Sequence, residues 1–259
     1  MAQYSEYGLN GRAAIITGAG TGIGAACAVE LAKAGVKVAL FGRRLEPIEK
    51  TAAECSRFTP GALAFSVDVS DKDAVERAVE QVKIAFGRID VLINNAGVES
   101  PYQVGETPFD NYFDMDPQEY MRFFKIHALG HYLMMQACVP HMMEARFGRI
   151  VNITSVTGVT AAYSSPAYTS SKAAAICQTK SFAKKYGKYN ITVNSIAPGM
   201  VNTPMKTNSP PEEFAAVAAM CPLGRVAEPI DIARVALFLS QEHLFISGQN
   251  IIVDGGTTV

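Results

Sequence analysis

The sequence predicts a doubly wound α/β fold, in which one parallel β-sheet carries helices on both faces. Short apolar runs alternate along the chain with longer helical runs, beginning with Ala13–Thr17 and the segment 22–34. Buried strands that alternate with helices are parallel strands joined by right-handed crossovers. The 259 residues, 49% of them apolar, suffice for one such domain, and no linker divides them. We therefore expect a single domain over residues 1–259 with a seven-stranded sheet.

Each predicted strand is a short buried run, and most are followed by a turn signal and a helix. Gly35 ends the first helix, because glycine accepts the positive φ found there, and Ser70 is placed to cap the third. The helix at 117–144 is expected to be bent or broken midway. The predicted strands are 13–17, 36–41, 62–67, 91–94, 149–155, 192–197 and 250–253, and the helices are 22–34, 46–56, 71–86, 117–144, 167–188 and 228–239.

Composition argues against several classes of function. The net charge of -1 gives no reason to expect nucleic acid or an anionic membrane as partner. No run of apolar residues is long enough to span a bilayer, and the first residues do not resemble a signal peptide. The 5 cysteines are widely spaced and form no Cys-x-x-Cys pair. We expect free thiols, no metal site and a cytoplasmic location.

A glycine-rich turn joins the first strand to the first helix and reads Thr17-Gly-Ala-Gly-Thr-Gly-Ile-Gly24. Its glycines let the backbone approach a pyrophosphate, which the N–H groups and positive end of the helix attract. Glycines that serve only tight turns and close packing are the alternative. The pattern predicts a nicotinamide-dinucleotide site, lined here by Gly18, Thr21, Gly22, Ile23 and Gly24.

The second strand ends in two arginines, Arg43 and Arg44, and carries no acidic residue there. NAD-binding sites commonly have an acid at this point, which pairs with the ribose 2′-hydroxyl. A guanidinium instead offers a fork of donors suited to a phosphate. The pattern favours NADP(H) over NAD(H), although Thr21 stands where a second basic residue would have helped. Two solvated loop arginines are the alternative.

Two more strand ends supply candidate cofactor contacts. Asp68 is placed to accept from the adenine amino group, with helix capping shared with Ser70 as the alternative. The fourth strand ends in Asn94-Asn-Ala-Gly97, whose small residues allow the cofactor to lie close. The amide of Asn95 is expected to brace neighbouring strands. The residues expected at these two ends are Asp68, Val69, Asn95, Ala96 and Gly97.

Tyr168 and Lys172 lie four residues apart at the start of a predicted helix, so both project from one face. A free tyrosine, with a pKa of about 10, is a poor acid or base near neutrality. A neighbouring ammonium favours the phenolate and lowers that pKa. Ser155 ends the fifth strand, where its hydroxyl can hold a substrate oxygen as charge grows on it. A helix face that carries Tyr and Lys for no catalytic reason is the alternative.

Together these motifs resemble the short-chain dehydrogenase/reductase family over essentially the whole chain. The resemblance implies a Rossmann-type fold and an NAD(P)-dependent oxidoreductase that interconverts a secondary alcohol and a ketone. It makes Tyr168 the general acid in reduction and the base in oxidation, while Ser155 orients the substrate oxygen. Lys172 would bind the nicotinamide ribose and lower the tyrosine pKa. The loop after the sixth strand would contact the nicotinamide end through Pro198, Gly199, Val201 and Thr203.

One position departs from the family pattern. The family usually places an asparagine in the long helix before the fifth strand, where it bends the helix and holds a water in a proton relay. His127 takes that place here. Either His127 keeps the relay through an imidazole nitrogen and adds a group that titrates near neutrality, or it is a helix histidine bonded to a backbone carbonyl. In the second case the relay is weakened or rerouted.

Two loops, at about 98–116 and 199–220, are expected to form the substrate pocket. Their aromatic and methionine side chains favour a bulky apolar substrate, with packing onto the sheet as the alternative. The resemblance extends equally to hydroxysteroid dehydrogenases, 3-oxoacyl thioester reductases and sugar or polyol dehydrogenases. We favour an alicyclic alcohol or ketone such as a steroid or bile acid. The side chains are Tyr102, Phe109, Tyr112, Phe113, Met205, Phe214 and Met220.

The segment 247–256 resembles the end of tetrameric family members, so we expect a homotetramer. The larger interface is expected from the long helices that contain Met134, Met135, Met142, Met143 and Phe182. Two rival functions stay open. One is a catalytically idle protein that senses NADP(H) through the same fold. The other is an enoyl reductase or dehydratase, although those usually alter the tyrosine spacing or lack the serine.

Overall fold

The computed structural model describes residues 7–99, 115–161, 164–206 and 211–259. Seven parallel strands form one sheet in the order β3-β2-β1-β4-β5-β6-β7. The order reverses between β1 and β4, which is the switch point where ligands bind in sheets of this kind. The strands are β1 Ala13–Thr17, β2 Lys37–Gly42, β3 Leu63–Ser66, β4 Val91–Asn94, β5 Gly148–Ile153, β6 Ile191–Pro198 and β7 Asn250–Val253.

Helices cover both faces of the sheet, as predicted. The predicted strands and helices are all present, with ends that differ by a few residues at most. Helix α6, a single turn, and helix α8 were not predicted. The helices are α1 Gly22–Lys33, α2 Leu45–Cys55, α3 Lys72–Phe86, α4 Pro117–Phe123, α5 His131–Ala145, α6 Thr157–Thr160, α7 Pro166–Tyr186, α8 Pro211–Met220 and α9 Pro229–Ser240.

The two faces of β1 show how the apolar runs form the core. Ala14 and Ile16 belong to the cluster that packs under α1 and α9, whereas Ile15 belongs to the cluster under α3 and α5. All five residues of β1 are buried, which is why its first four residues are all apolar rather than alternating. This rigid centre holds the ends of β1 and β4 in place.

The long helix expected at 117–144 stays helical but changes its winding midway. A π-helical segment, Phe124–Gly130, connects α4 to α5, and His127 lies within it. Such segments are frequent at functional sites. Gly130 allows close packing here, because a Cβ at that position would lie 2.7 Å from Cγ2 of Val69.

Two expectations about helix ends have different outcomes. Gly35 follows α1 with a φ of 81°, as predicted. The prediction that Ser70 caps α3 is wrong, because Asp71 does so by accepting the N–H of Ala74 at 3.0 Å. Ser70 instead donates through its N–H and its hydroxyl to Oδ1 of Asp68. Asp71 caps the helix because it lies directly before the first turn, so its carboxylate reaches the exposed N–H groups of that turn.

The methionines of α5 divide between core and surface. Met134, Met135 and Met142 are fully buried in the core under the sheet, so they cannot contact another subunit. Met143 and Phe182 instead line a groove between α5 and α7. In the described part of the chain, no helix is both long enough and apolar enough to cross a membrane.

Candidate active site

The sequence-predicted residues meet where β1, β4, β5 and β6 end, because these four strands are neighbours in the sheet. The glycine-rich turn follows β1, and Asn95 follows β4. Ser155 lies just beyond β5, and its neighbour Val156 donates its N–H to the Pro198 carbonyl at the end of β6. Parallel strands bring their carboxyl ends to one edge, so residues far apart in sequence share one cleft.

The glycine-rich turn has the backbone that a pyrophosphate requires. Gly18 and Gly22 have φ values of 63° and 56°, which side chains disfavour. A Cβ at Gly24 would lie 2.4 Å from the Gly18 carbonyl oxygen, so only glycine lets the helix pack on the turn. Thr21 precedes α1 in extended conformation, its side chain makes no capping hydrogen bond, and the first turn carries no acid. These residues fit a dinucleotide phosphate at the helix end.

Asn95 braces β1 and β4, as predicted. Its Nδ2 donates to the carbonyl oxygens of Thr17 at 3.0 Å and Gly18 at 3.2 Å. The Thr17 hydroxyl, for which no role was predicted, accepts the backbone N–H groups of Asn95 and Ala96 at 2.9 Å each. A polar residue at the end of an otherwise apolar strand was the available signal. The brace fixes the turn relative to the end of β4.

Arg43 and Asp68 lie near one another at the ends of β2 and β3. Both arginines after β2 are exposed, and Arg44 directly precedes α2. Burial acts to raise the pKa of Asp68, but hydrogen bonds from Ser70 and the charge of Arg43 outweigh it and lower that pKa. The helix-capping alternative for Asp68 is wrong. Its carboxylate accepts the N–H of Ser70 in the turn before α3 and does not bond the first turn of that helix. Val69 is buried against the π-helical segment.

The loop after β6 folds back over the glycine-rich turn. A Cβ at Gly22 would lie 3.1 Å from Cγ2 of Thr203. Val201 is buried and is held by a short parallel bridge to Ala227. Ile23 is partly buried against the core. This loop therefore sits above the position where the helix end would bind phosphate.

Ser155, Tyr168 and Lys172 come together at the end of β5. Lys172 is buried, and its Nζ lies 5.6 Å from the centre of the Tyr168 ring. The same ammonium donates to the Ile153 carbonyl oxygen at 3.0 Å. The Ser155 hydroxyl is close enough to hydrogen-bond the Tyr168 phenol, and it accepts the N–H and hydroxyl of Thr157 at 3.2 and 3.0 Å.

The electrostatics of this group differ from the sequence-based expectation. Burial raises the pKa of Tyr168 to about 12, the charge of Glu99 adds to the rise, and the Ser155 hydrogen bond opposes it. Burial also lowers the pKa of Lys172 to about 8. The expected lowering of the tyrosine pKa by Lys172 is therefore not found in the protein alone, because loss of solvation dominates.

His127 is fully buried beside Tyr168, with ring centres 5.2 Å apart. Its Nε2 accepts the Val98 N–H and its Nδ1 lies 2.9 Å from the Ser171 hydroxyl oxygen. Burial and the charge of Lys172 hold the pKa of His127 well below its usual value. The idea that His127 titrates near neutrality is therefore wrong. So is the backbone carbonyl as its partner, since the backbone group it binds is an N–H.

Sequence reasoning missed Thr157, Ser171, Glu99 and Phe123 at this site. Ser171 and Phe123 owe their places to the packing of α7 and α4, whereas Thr157 follows Ser155 by two residues and Glu99 lies in the segment after β4. Of the predicted substrate-loop side chains, Met205 and Met220 are each 53% exposed and Phe214 is half-buried. Tyr102, Phe109, Tyr112 and Phe113 lie outside the described residues. No cluster of three potential metal ligands occurs in the described ranges.

Comparison with known proteins agrees with this architecture. Residues 18–258 match a family model described as enoyl-(acyl carrier protein) reductase. The chain is 33% identical to the 3-oxoacyl-(acyl-carrier-protein) reductase of Thermotoga maritima, covering 97% of this chain and 99% of that protein. It is 34% identical to the cis-4-hydroxycyclohexanecarboxylate dehydrogenase of Sinomonas cyclohexanicum, over 95% and 96% of the two chains.

A solved structure shows the same fold. The 3-ketoacyl-(acyl-carrier-protein) reductase from Brucella melitensis, crystallised with NADH, superposes with a TM-score of 0.86 at 30% identity. The match covers 97% of this chain and 100% of that one. The chain belongs to the short-chain dehydrogenase/reductase family and is an NAD(P)-dependent oxidoreductase that acts on CH–OH groups.

Proposed function

We propose that the protein interconverts a secondary alcohol and a ketone, with Tyr168 as the proton donor and acceptor. The observation that supports this most directly is the convergence of the Ser155 hydroxyl, the Tyr168 phenol and the buried Lys172 ammonium. They lie at the same edge of the sheet as the glycine-rich turn, so the nicotinamide of a dinucleotide whose pyrophosphate binds that turn would extend towards them. When bound, the nicotinamide supplies or accepts the hydride at the carbinol carbon.

Ser155 orients the substrate oxygen in this proposal. Its oxygen already accepts two hydrogen bonds from Thr157. The serine hydrogen is therefore directed away from Thr157, towards the phenol or a substrate oxygen beside it. A donor aimed at an oxygen on which negative charge develops stabilises the transition state of reduction.

Tyr168 gives its proton to that oxygen during reduction and takes it back during oxidation. Its raised pKa keeps the phenol protonated near neutrality in the protein alone, which suits the reduction direction. Oxidation requires the phenolate, which positive charge nearby stabilises. Lys172 is placed to contribute such charge and to bind the nicotinamide ribose, since its pKa of about 8 keeps it largely protonated near pH 7.

We propose NADP(H) as the preferred cofactor, with NAD(H) as the alternative. Support comes from the two exposed arginines after β2, in the place where an acid would select NAD. The proximity of Arg43 to Asp68 supports a binding position for the adenosine end of the cofactor at the ends of β2 and β3. We propose that the rest of the cofactor contacts the predicted residues in the glycine-rich turn, Val69, the end of β4 and the loop after β6.

Two substrate classes have support. A ring-containing alcohol agrees with the apolar side chains of the loops at 98–116 and 199–220, and one relative is named for a hydroxycyclohexane substrate. A 3-oxoacyl thioester agrees with the names of the Thermotoga and Brucella proteins. None of these three names refers to a steroid or a bile acid, so that narrower idea, like sugars and polyols, depends on a direct assay.

The deciding experiment is a substrate screen with the purified protein. Cyclic ketones, steroids, 3-oxoacyl thioesters, enoyl thioesters and sugars are tested with NADPH and with NADH, following nicotinamide absorbance. We expect the unchanged protein to turn over at least one ketone, and the Tyr168→Phe variant not to turn over that ketone. Turnover of enoyl thioesters alone would contradict the proposal. Cofactor binding without turnover of any compound would favour the idle sensor.

We further propose a cytoplasmic homotetramer. The groove between α5 and α7 exposes apolar side chains of both helices, among them Met143 and Phe182, and so suits a contact between copies of the chain. Its other lining side chains include Tyr132 and Tyr186. Five free thiols suit a reducing compartment. Sedimentation that shows a monomer at micromolar concentration would contradict the tetramer.

A further inference from the structure

His127 connects the exit of β4 to helix α7 through hydrogen bonds on both ring nitrogens. Its Nε2 accepts the N–H of Val98, the first residue of the predicted substrate loop, at 2.9 Å. Its Nδ1 faces the hydroxyl of Ser171 on α7, also at 2.9 Å. Ser171 in turn donates to the carbonyl oxygen of Tyr168 at 2.7 Å. One side chain therefore ties the exit of β4 to the turn of α7 that carries the proposed acid.

We propose that His127 is a positioning residue, whose neutral imidazole holds Val98 and Tyr168 in register and carries no proton to or from the reaction. The proposal deepens the function proposed above, since it assumes that Tyr168 is the acid and base. In this proposal His127 holds neighbouring groups in place, whereas the relay hypothesis has it carry a proton.

The contacts determine which ring nitrogen bears the hydrogen. The Val98 amide is a donor, so Nε2 must be the bare acceptor. The Ser171 hydroxyl already gives its hydrogen to the Tyr168 carbonyl, so its oxygen must accept from Nδ1–H. Two independent partners thus select the same neutral tautomer. Each nitrogen is engaged, and a relay would have to break one of these bonds at every turnover.

Packing prevents the ring from turning to another partner. Its edge meets the Tyr168 ring at 85°, and Phe123, which is fully buried, lies 5.8 Å away on another side. A Cβ at Gly97 would approach Nε2 to 3.2 Å, so the β4 exit is already in contact with the imidazole. The ring therefore acts as a spacer between this backbone and the phenol.

The surrounding charges oppose protonation of the ring. Lys172 on α7 and Arg122 on α4 both disfavour a second proton, in addition to burial. His131 is itself fully buried with a pKa lowered to about 3, so it offers no base to accept a proton from His127. Burial and these charges therefore favour the neutral imidazole that the two hydrogen bonds select.

Two substitutions separate positioning from proton transfer. His127→Gln supplies a donor and an acceptor on one carbon, as the two imidazole nitrogens share Cε1, but the amide itself does not take up and release a proton near neutral pH. His127→Phe keeps a ring and removes both nitrogens. We expect kcat to fall less than about 5-fold in His127→Gln and about 100-fold in His127→Phe, because small misplacements of a reacting group are costly.

The controls keep the test decisive. His141→Gln makes the same change on α5, away from the site, and should leave kcat and KM unchanged. If His127→Phe fails to fold, Ser171→Ala removes one of the two partners and is expected to lower kcat by about 3- to 10-fold with the same pH profile. A His127→Gln enzyme that folds and binds cofactor but is as slow as His127→Phe would overturn the proposal.

A second readout does not depend on any substrate. Protein labelled with ¹⁵N-histidine, with the His127→Gln spectrum used for assignment, reports which nitrogen carries hydrogen. We expect Nδ1–H with a bare Nε2, unchanged between about pH 6 and pH 8, where a free histidine titrates. An Nε2–H form, or titration in that range, would overturn the proposal. If the spectrum agrees while no ketone is turned over, the fault lies with the proposed function instead.

Discussion

The two halves of the cleft differ in the groups that line them: backbone in one half and buried side chains in the other. At the ends of β1 and β4 the cleft is mostly backbone, shaped by glycines at positive φ and braced by Asn95. At the end of β5 and the start of α7 it consists of buried side chains whose pKa values depart from normal, among them Tyr168 and Lys172. Phosphate binding needs N–H groups and space, whereas proton transfer needs a tuned environment. The predictions below test that division.

The largest effect is expected from Tyr168→Phe, which removes the acid but keeps the ring that packs on His127. We expect kcat to fall by about 1000-fold or more, since a positioned general acid contributes up to about 10⁴-fold. Cofactor affinity, measured by fluorescence titration, should change little because the glycine-rich turn is untouched. A large loss of affinity would show that the two halves are not separable.

A stability measurement tests the tuned environment without a substrate. The pKa of Lys172 is lowered in the folded protein to about 8 from 10.5, so the unfolded chain binds more protons between these values. The free energy of unfolding should therefore rise with pH in this window, relative to Lys172→Met, by about 2 kcal/mol between pH 8 and 10. Tyr168, whose pKa is raised from 10.0 to about 12, contributes with the opposite sign, mainly between these two values. Denaturant unfolding at several pH values measures the difference, and a flat difference would contradict the lowered pKa.

A smaller and more local effect is expected at the cofactor half. Arg43→Ala should weaken NADP(H) binding about 10-fold and leave NAD(H) binding nearly unchanged, because one charge-assisted contact to a phosphate is removed. Arg44→Ala is the matched variant that identifies which arginine acts. Untouched NADP(H) affinity in both variants would refute the preference for NADP(H).

The smallest effect lies outside both halves. Asp71→Ala removes the cap of α3 and should reduce the free energy of unfolding by about 1 kcal/mol without changing kcat. Ser70→Ala is the control, since its hydroxyl bonds Asp68 rather than the helix end. Thermal or denaturant unfolding distinguishes the two. Equal losses would mean that the turn, rather than the cap, carries the stability.

What the sequence could predict follows the same division. The glycine-rich turn and the brace from Asn95 are local motifs, so their place was predictable. The bonds from His127 to Val98 and Ser171 depend on how the π-helical segment faces α7, which no local pattern records. The pKa of Tyr168 was misjudged because spacing shows a nearby charge but not the loss of solvent.

Two errors about helices have a different origin. Helix α8 begins with Pro211, Glu212 and Glu213, a recognisable start signal, within a segment that the sequence predicts as a substrate loop. Both Ser70 and Asp71 are good capping residues, and only the exact start of α3 chooses between them. At α8 the start residues were visible but the helix itself was not predicted, and at α3 the capping residues were visible but the exact first residue of the helix was not.

The most direct test of the account is a crystal structure of the protein with NADP(H) bound. The account predicts that the Tyr168 hydroxyl faces the reactive edge of the nicotinamide ring, with Ser155 beside it and Lys172 on the ribose. A phenol that points away from that ring would contradict the assignment of Tyr168 as acid and base, however well the cofactor occupied the glycine-rich turn.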